Sequence, residues 1–216
     1  MTRWTYPLLG LALLLVIVIA GVIGGPYFAP DMAVDRWFIG WRAGHVDQTR
    51  AILAFTQLGG SLVLVPVVLI ATGWLWWRGE RREALLFFAT TMSGRAMVEL
   101  IKWAVDRPRP SFDPYPVIVS VKSFPSGHAS NSTLTLVSLA LFVAPARWRA
   151  AALTAGIALA VAIGCTRPVL GVHWPTDIIA GWCFGLLWVG AWWRLSRRGE
   201  AAASGYSPAS PADGRG

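Results

Sequence analysis

The stretch AILAFTQLGGSLVLVPVVLIATGWLWW, positions 51–77, contains no charged side chain. Coiled as a helix it would be about 40 Å long, more than the roughly 30 Å hydrocarbon core of a bilayer. It ends on Arg78-Gly-Glu-Arg-Arg-Glu83, a short Arg-rich link. Reading outward, a neutral run from Trp4 to Pro30 precedes it, and an apolar segment from Ala84 to Trp103 follows, interrupted by Arg95 and Glu99. Three further apolar segments lie at Ala129 to Ala144, Ala150 to Cys165 and Ile178 to Trp193. These three are close to the minimum of about 17 residues for a span. Short spans suffice where helix ends line a wet, protein-walled site instead of lipid. The expected fold is therefore all-α: a polytopic membrane protein of six transmembrane helices. The first, Pro7 to Tyr27, is read as a retained helix. Its apolar core is long for a signal peptide, and no small-x-small cleavage site follows it.

Composition agrees. The chain is 55% hydrophobic and 14% charged, has thirteen Trp and a mean hydropathy of +0.53, whereas soluble domains are about a quarter charged. The net charge of +8 does not point to nucleic acid, because the Arg residues stand at the ends of apolar runs or inside three polar clusters. Cys165 and Cys183 fall in or beside apolar runs, with a spacing that suits neither a disulfide framework nor a zinc site.

The positive-inside rule orients the spans. The Arg-rich links at 78–83, at Arg147 and Arg149, and at Arg194 to Arg198 fall on one side, so both termini are expected in the cytoplasm. The link from Asp31 to Arg50 lies on the opposite face. In it Val34, Trp37, Phe38 and Trp41 follow a helical i, i+3, i+4, i+7 pattern, which suggests a short interfacial helix between spans one and two. His45, in the same link, reads as an ordinary exposed histidine. Residues 1–199 form the expected six-span domain, and 200–216, rich in Ala, Ser, Pro and Gly, a disordered cytoplasmic tail.

The same topology gathers three polar clusters on the non-cytoplasmic side: Lys102-Trp-Ala-Val-Asp-Arg-Pro-Arg109-Pro110, Pro125-Ser126-Gly127-His128, and Arg167 through His173 to Asp177. Lys102, Arg109 and Arg167 would repel one another unless an anion lay between them. A phosphate fits, since Arg offers a fork of donors and Lys a point charge. Of nineteen basic residues only Lys102 and Lys122 are lysines, so habit alone would not have supplied a Lys at 102. Ser126 and Gly127 open a helix whose N-terminal N–H groups bind anions. Gly127 allows close backbone approach, and the Ser126 hydroxyl adds a donor. Asp177, four residues after His173, can hold one imidazole nitrogen and aim the other at phosphorus. His128 can protonate a leaving oxygen. A divalent metal would be repelled by these cations, so neither metal nor cofactor is expected. Arg95 and Glu99, at i and i+4 inside a span, are read as an ion pair supporting the site from below.

These motifs resemble those of the type 2 phosphatidic acid phosphatase superfamily, the lipid phosphate phosphatases. Lys102 to Arg109-Pro110 and Pro125 to His128 match that pattern fully. Arg167, His173 and Asp177 match in spacing, with Thr166 where Ser is common and an unusual Pro168 after Arg167. The resemblance implies a phosphohistidine on His173, oriented by Asp177, with His128 as acid and then base. It implies that Lys102, Arg109, Ser126, Gly127 and Arg167 hold the phosphoryl oxygens, without a metal. It also implies residence in the bacterial inner (plasma) membrane, with a lipid phosphate as substrate. The substrate expectation is an isoprenoid diphosphate such as undecaprenyl diphosphate, with Lys122 on its second phosphate; phosphatidylglycerophosphate or phosphatidate is the alternative. A lipid phosphotransferase would share the chemistry. Vanadium haloperoxidases share the motifs on soluble folds. A lipid transporter would spread its polar groups along a path through the bilayer rather than at one face.

Overall fold

The computed structural model describes residues 19, 22–25, 28–111 and 122–205, with side chains as far as residue 198. The expected first span, Pro7 to Tyr27, lies almost wholly outside these residues. So do positions 206–216, most of the expected tail.

Seven α-helices are described: α1 (Ala29–Ala43), α2 (Val46–Thr56), α3 (Ser61–Trp77), α4 (Arg81–Val105), α5 (Gly127–Ser138), α6 (Arg149–Val169) and α7 (Pro175–Gly205). Among the described residues the only extended pairing is an isolated bridge between Pro108 and Lys122. Four helical segments are long and apolar enough to cross a membrane: Val46–Trp77, Arg81–Val105, Ala146–Val169 and Pro175–Arg198. These overlap the expected spans two, three, five and six.

The expected fourth span is built differently. Its helix, α5, continues through one wide π-type turn, Leu139–Val143. It is rich in hydroxyls, with Ser130, Ser132, Thr133, Thr135 and Ser138 all buried. Such a helix tolerates membrane depth because protein surrounds it. It packs most extensively against α7 and α6, and next against α4. Ser130, Ser132 and Thr133 return their hydroxyls to carbonyls one turn back, so their polarity is satisfied within the helix. Gly181 and Gly185 let α7 close on it. A Cβ at either would come within 2.9 Å of Ala129 Cβ or 2.7 Å of Thr133 Cβ, the close backbone approach that small residues allow between membrane helices.

Two apolar clusters hold the bundle away from the polar end. Val68 and Leu75 of α3 meet Ala84 and Phe87 of α4 and Phe142. Val98 of α4 meets Leu134 and Val137 of α5 and Val189 of α7. The helices alternate in direction, so the C-terminal ends of α4 and α6 and the N-terminal ends of α5 and α7 fall together. Asp106 ends α4 in a left-handed conformation (φ 50°), which Asp accepts more readily than most residues. Pro168 sits in the last turn of α6, where its missing N–H costs at most one helical bond.

The segment expected at the interface is helical, as α1. Its faces are inverted relative to a soluble helix: Asp31 and Asp35 are buried, while Val34 and Trp37 are exposed.

Candidate active site

The three polar clusters meet where those four helix ends converge. α7 opens with Pro175, which suits a first helical position, and Asp177 follows in the same turn. Its Oδ2 accepts the Trp174 backbone N–H at 3.1 Å, as a capping acid does. The same oxygen lies 3.3 Å from His173 Nδ1. On the other side of the ring, Arg109 Nη1 stands 3.0 Å from His173 Nε2. A guanidinium has no acceptor, so Nε2 presents its lone pair and Nδ1 carries the proton that Asp177 receives. Burial holds the His173 imidazole well below its ordinary pKa, and the charges of Arg109, Arg167 and Lys102 add to the effect. The ring is therefore neutral, in the tautomer whose unprotonated nitrogen faces the cations.

Lys102 and Arg167 are held by neutral groups. Lys102 Nζ donates to the Pro125 carbonyl at 2.5 Å. Arg109 donates to the Val172 carbonyl. Arg167 Nη1 donates to Thr56 Oγ1 at 3.0 Å, while Arg167 Nε is buried without a protein partner. Ser126 caps α5, its Oγ accepting from the Ala129 N–H at 3.5 Å, so its own hydrogen remains available to a ligand. Its backbone N–H donates to the Asp177 carbonyl at 3.0 Å, tying the α5 start to the α7 start. A Cβ on Gly127 would stand 3.9 Å from Lys102 Cε, in the space between ammonium and helix terminus. His128 follows in the first turn and contributes to the electrostatic environment of His173. Thus Lys102, Arg109, Ser126, Gly127, His128, Arg167, His173 and Asp177 share one site.

Arg95 and Glu99 stand apart from it. Among the described residues Arg95 does not form the expected pair with Glu99. Its Nη2 turns toward α3 and donates to Ser61 Oγ at 2.7 Å, while Glu99 is exposed. Lys122, the residue expected on a second phosphate, is 3.2 Å from Asp106 and also donates to the Trp103 carbonyl at 3.3 Å.

Sequence reasoning missed a second layer. Arg107 Nη1 binds Asp177 Oδ1 at 2.7 Å, and its Nη2 binds Asp31 Oδ2 at 2.8 Å. Thr176 Oγ1 accepts from Arg107 at 2.7 Å and donates to Asp31 at 2.6 Å. All four side chains are buried. Arg107 and Arg109 therefore grip the His173–Asp177 pair from its two ends. The available signal was Asp31 and Asp35 at i, i+4 on a helix whose other face is apolar. Asp35 is buried beside this network with neither carboxylate oxygen bonded. Burial, with the nearby charges of Asp31 and Asp177, pushes its pKa up to about 8. Among the described residues no set of three His, Cys, Asp or Glu side chains is gathered for a metal ion.

A neutral, oriented histidine facing a cluster of largely buried cations, at one end of an apolar helical bundle, defines a membrane-embedded site for phosphoryl transfer. Residues 83–200 match the PAP2 superfamily, and the chain belongs to it, as a phosphatase of lipid phosphates. It is 27% identical to phosphatidylglycerophosphatase B of Bacillus subtilis, over 84% of this chain and 91% of that one. It is 35% identical to decaprenylphosphoryl-5-phosphoribose phosphatase of Mycolicibacterium smegmatis, over 65% and 73% respectively. The crystal structure of a transmembrane PAP2-type phosphatidylglycerolphosphate phosphatase from Bacillus subtilis aligns with a TM-score of 0.78 and 25% identity, over 88% of this chain and 96% of that one.

Proposed function

We propose that the protein hydrolyses a terminal phosphate monoester on a membrane lipid through a phosphohistidine at His173. The observation that carries this reading is the placement of the His173 ring, with Nδ1 3.3 Å from Asp177 Oδ2 and Nε2 3.0 Å from Arg109 Nη1. A phosphoryl group drawn in by Arg109, Arg167 and Lys102 would meet the Nε2 lone pair. Nε2 attacks phosphorus, the bond from phosphorus to the lipid oxygen breaks, and the leaving oxygen takes a proton from His128, which the negative charge of the bound phosphate holds in its protonated form. His128, now neutral, removes a proton from water as the water oxygen attacks phosphorus. The P–N bond breaks, releasing phosphate and restoring His173. Charge developing on the phosphoryl oxygens is met by donors already in place, including the Ser126–Gly127 helix terminus.

The phosphate monoester is favoured over the isoprenoid diphosphate. Lys122 forms an exposed pair with Asp106, which a contact with a second phosphate would have to replace. The relative aligned over most of both chains is named for phosphatidylglycerophosphate, and the mycobacterial relative for another lipid-linked phosphate. We place the site at the non-cytoplasmic face of a six-span inner-membrane protein with both termini in the cytoplasm. The Arg-rich links at the opposite end support that orientation, and α1, with Val34 and Trp37 outward, suits the interface beside the site. The test is kcat/KM for phosphatidylglycerophosphate, phosphatidate and a polyprenyl diphosphate in matched micelles. A glycerolipid monoester should lead; a lead of about tenfold for the diphosphate, about 1.4 kcal/mol of transition-state preference, would reverse the assignment.

A further inference from the structure

We infer that Thr56 is a positioning residue for Arg167, the end of a directed hydroxyl chain that fixes the guanidinium without cancelling its charge. The inference rests on the reading of Arg167 as a phosphate ligand.

Thr56 is the last residue of α2 and is fully buried. It lies outside residues 83–200, the part of the chain that matches the family. Its Oγ1 is 3.0 Å from Arg167 Nη1 and 2.8 Å from Thr166 Oγ1. Thr166 Oγ1 is in turn 2.5 Å from the Ile163 carbonyl.

Hydrogen accounting gives the chain one direction. A carbonyl only accepts, so the single Thr166 hydroxyl hydrogen is spent on Ile163. Between the two threonines the donor must then be Thr56. Its hydrogen is spent too, and its lone pair receives the Arg167 N–H, as it must, because a guanidinium only donates. The order is Arg167 to Thr56 to Thr166 to the Ile163 carbonyl, with each hydroxyl hydrogen used once. Successive bonds of this kind polarise and strengthen one another. The chain also gives position 166 a reason for a hydroxyl of either kind.

The choice of a hydroxyl has an electrostatic consequence. A carboxylate at position 56 would grip Arg167 harder, but would neutralise the charge that a phosphate needs. Thr56 anchors one arm of the fork to a second helix, while Nε remains buried and without a protein partner.

The experiment measures kcat/KM for a lipid phosphate and the inhibition constant of vanadate in full-length Thr56→Val, Thr56→Ser, Thr166→Val and the double valine variant. Valine keeps the shape and removes the acceptor. Thr56→Val should lower kcat/KM about tenfold or more, the scale of a lost hydrogen bond to a charged group, and weaken vanadate in step. Thr56→Ser should restore both. The double variant should be no worse than Thr56→Val, because one chain cannot be cut twice. Should Thr56→Val fail to fold, Thr56→Cys, whose sulfur is only a weak acceptor, is read the same way. An unchanged vanadate constant in the valine variants, or a serine variant as impaired as valine, overturns the inference. Arg167→Ala separates the two levels. If it leaves vanadate binding intact, the phosphate-ligand reading itself fails; if it weakens vanadate while Thr56→Val does not, only the role of Thr56 is lost.

Discussion

The two ends of the bundle are both rich in cations and hold them in opposite ways. At the end away from the site, Arg78 lies 3.0 Å from Glu80 and Arg82 lies 3.2 Å from Glu83, and Arg197 lies over the Trp193 ring at 4.0 Å. The three arginines are exposed, and such pairs contribute about 0–1 kcal/mol each. At the site end Lys102 and Arg167 are 7% and 3% exposed, and the protein contacts described for them are a carbonyl and a hydroxyl. Neutral acceptors fix a cation in place and leave its charge for a ligand. Arg107 shows the alternative within the same site: bound to both Asp31 and Asp177, its charge is spent on the protein. If Arg167 meets the phosphate as proposed, proximity to the motif does not decide which arginine meets substrate; the charge of its partner does.

That contrast can be broken in several places. The largest effect belongs to the nucleophile. His173→Ala should lower kcat by about four orders of magnitude or more, as removal of a member of a catalytic unit does, measured by phosphate release from micellar lipid. Arg107→Gln leaves Asp31 and Asp177 buried without their cation. It should destabilise the protein by about 3–5 kcal/mol, seen as a large fall in Tm in detergent. A Tm near that of the wild type would mean Arg107 is not the structural arginine. Arg167→Ala should lower kcat/KM by about a hundredfold, the scale of a lost preplaced donor, while Arg197→Ala should stay within about twofold. Equal effects at the two ends would erase the distinction drawn above.

A further effect concerns Asp35. Its folded pKa, about 8, lies above its ordinary value of 3.8. Between those values the native state keeps a proton that the unfolded state has lost. Stability from this group is thus complete below pH 4 and falls as pH rises toward 8. Asp35→Asn should therefore gain Tm relative to the wild type between pH 5 and pH 8, with no further gain above. A constant difference across that range would remove Asp35 from the account.

The all-helical plan was legible because long neutral runs have one explanation, and the site residues because three spaced motifs must meet if the spans alternate. Hydropathy is a poor guide to α5, whose Ser and Thr are sheltered by neighbouring helices, with Ser130, Ser132 and Thr133 satisfied by their own backbone. The Arg95–Glu99 spacing gave no hint of Ser61, on another helix, to which Arg95 donates. Lys122 looked available because the left-handed turn that brings Asp106 toward it has no signature in sequence. Asp31, Thr56 and Arg107 were overlooked for one reason: each acts through a partner remote in sequence, 76 positions away for Asp31 and Arg107 and 111 for Thr56 and Arg167.

The central claim is that His173 carries the phosphoryl group. The most direct test quenches the enzyme during turnover of a phosphorus-radiolabelled lipid, digests it and locates the label. The account predicts an acid-labile, base-stable phosphoryl group on the peptide containing His173, absent in His173→Ala. Label on another residue, or a rapid quench of active enzyme that traps none, would contradict it.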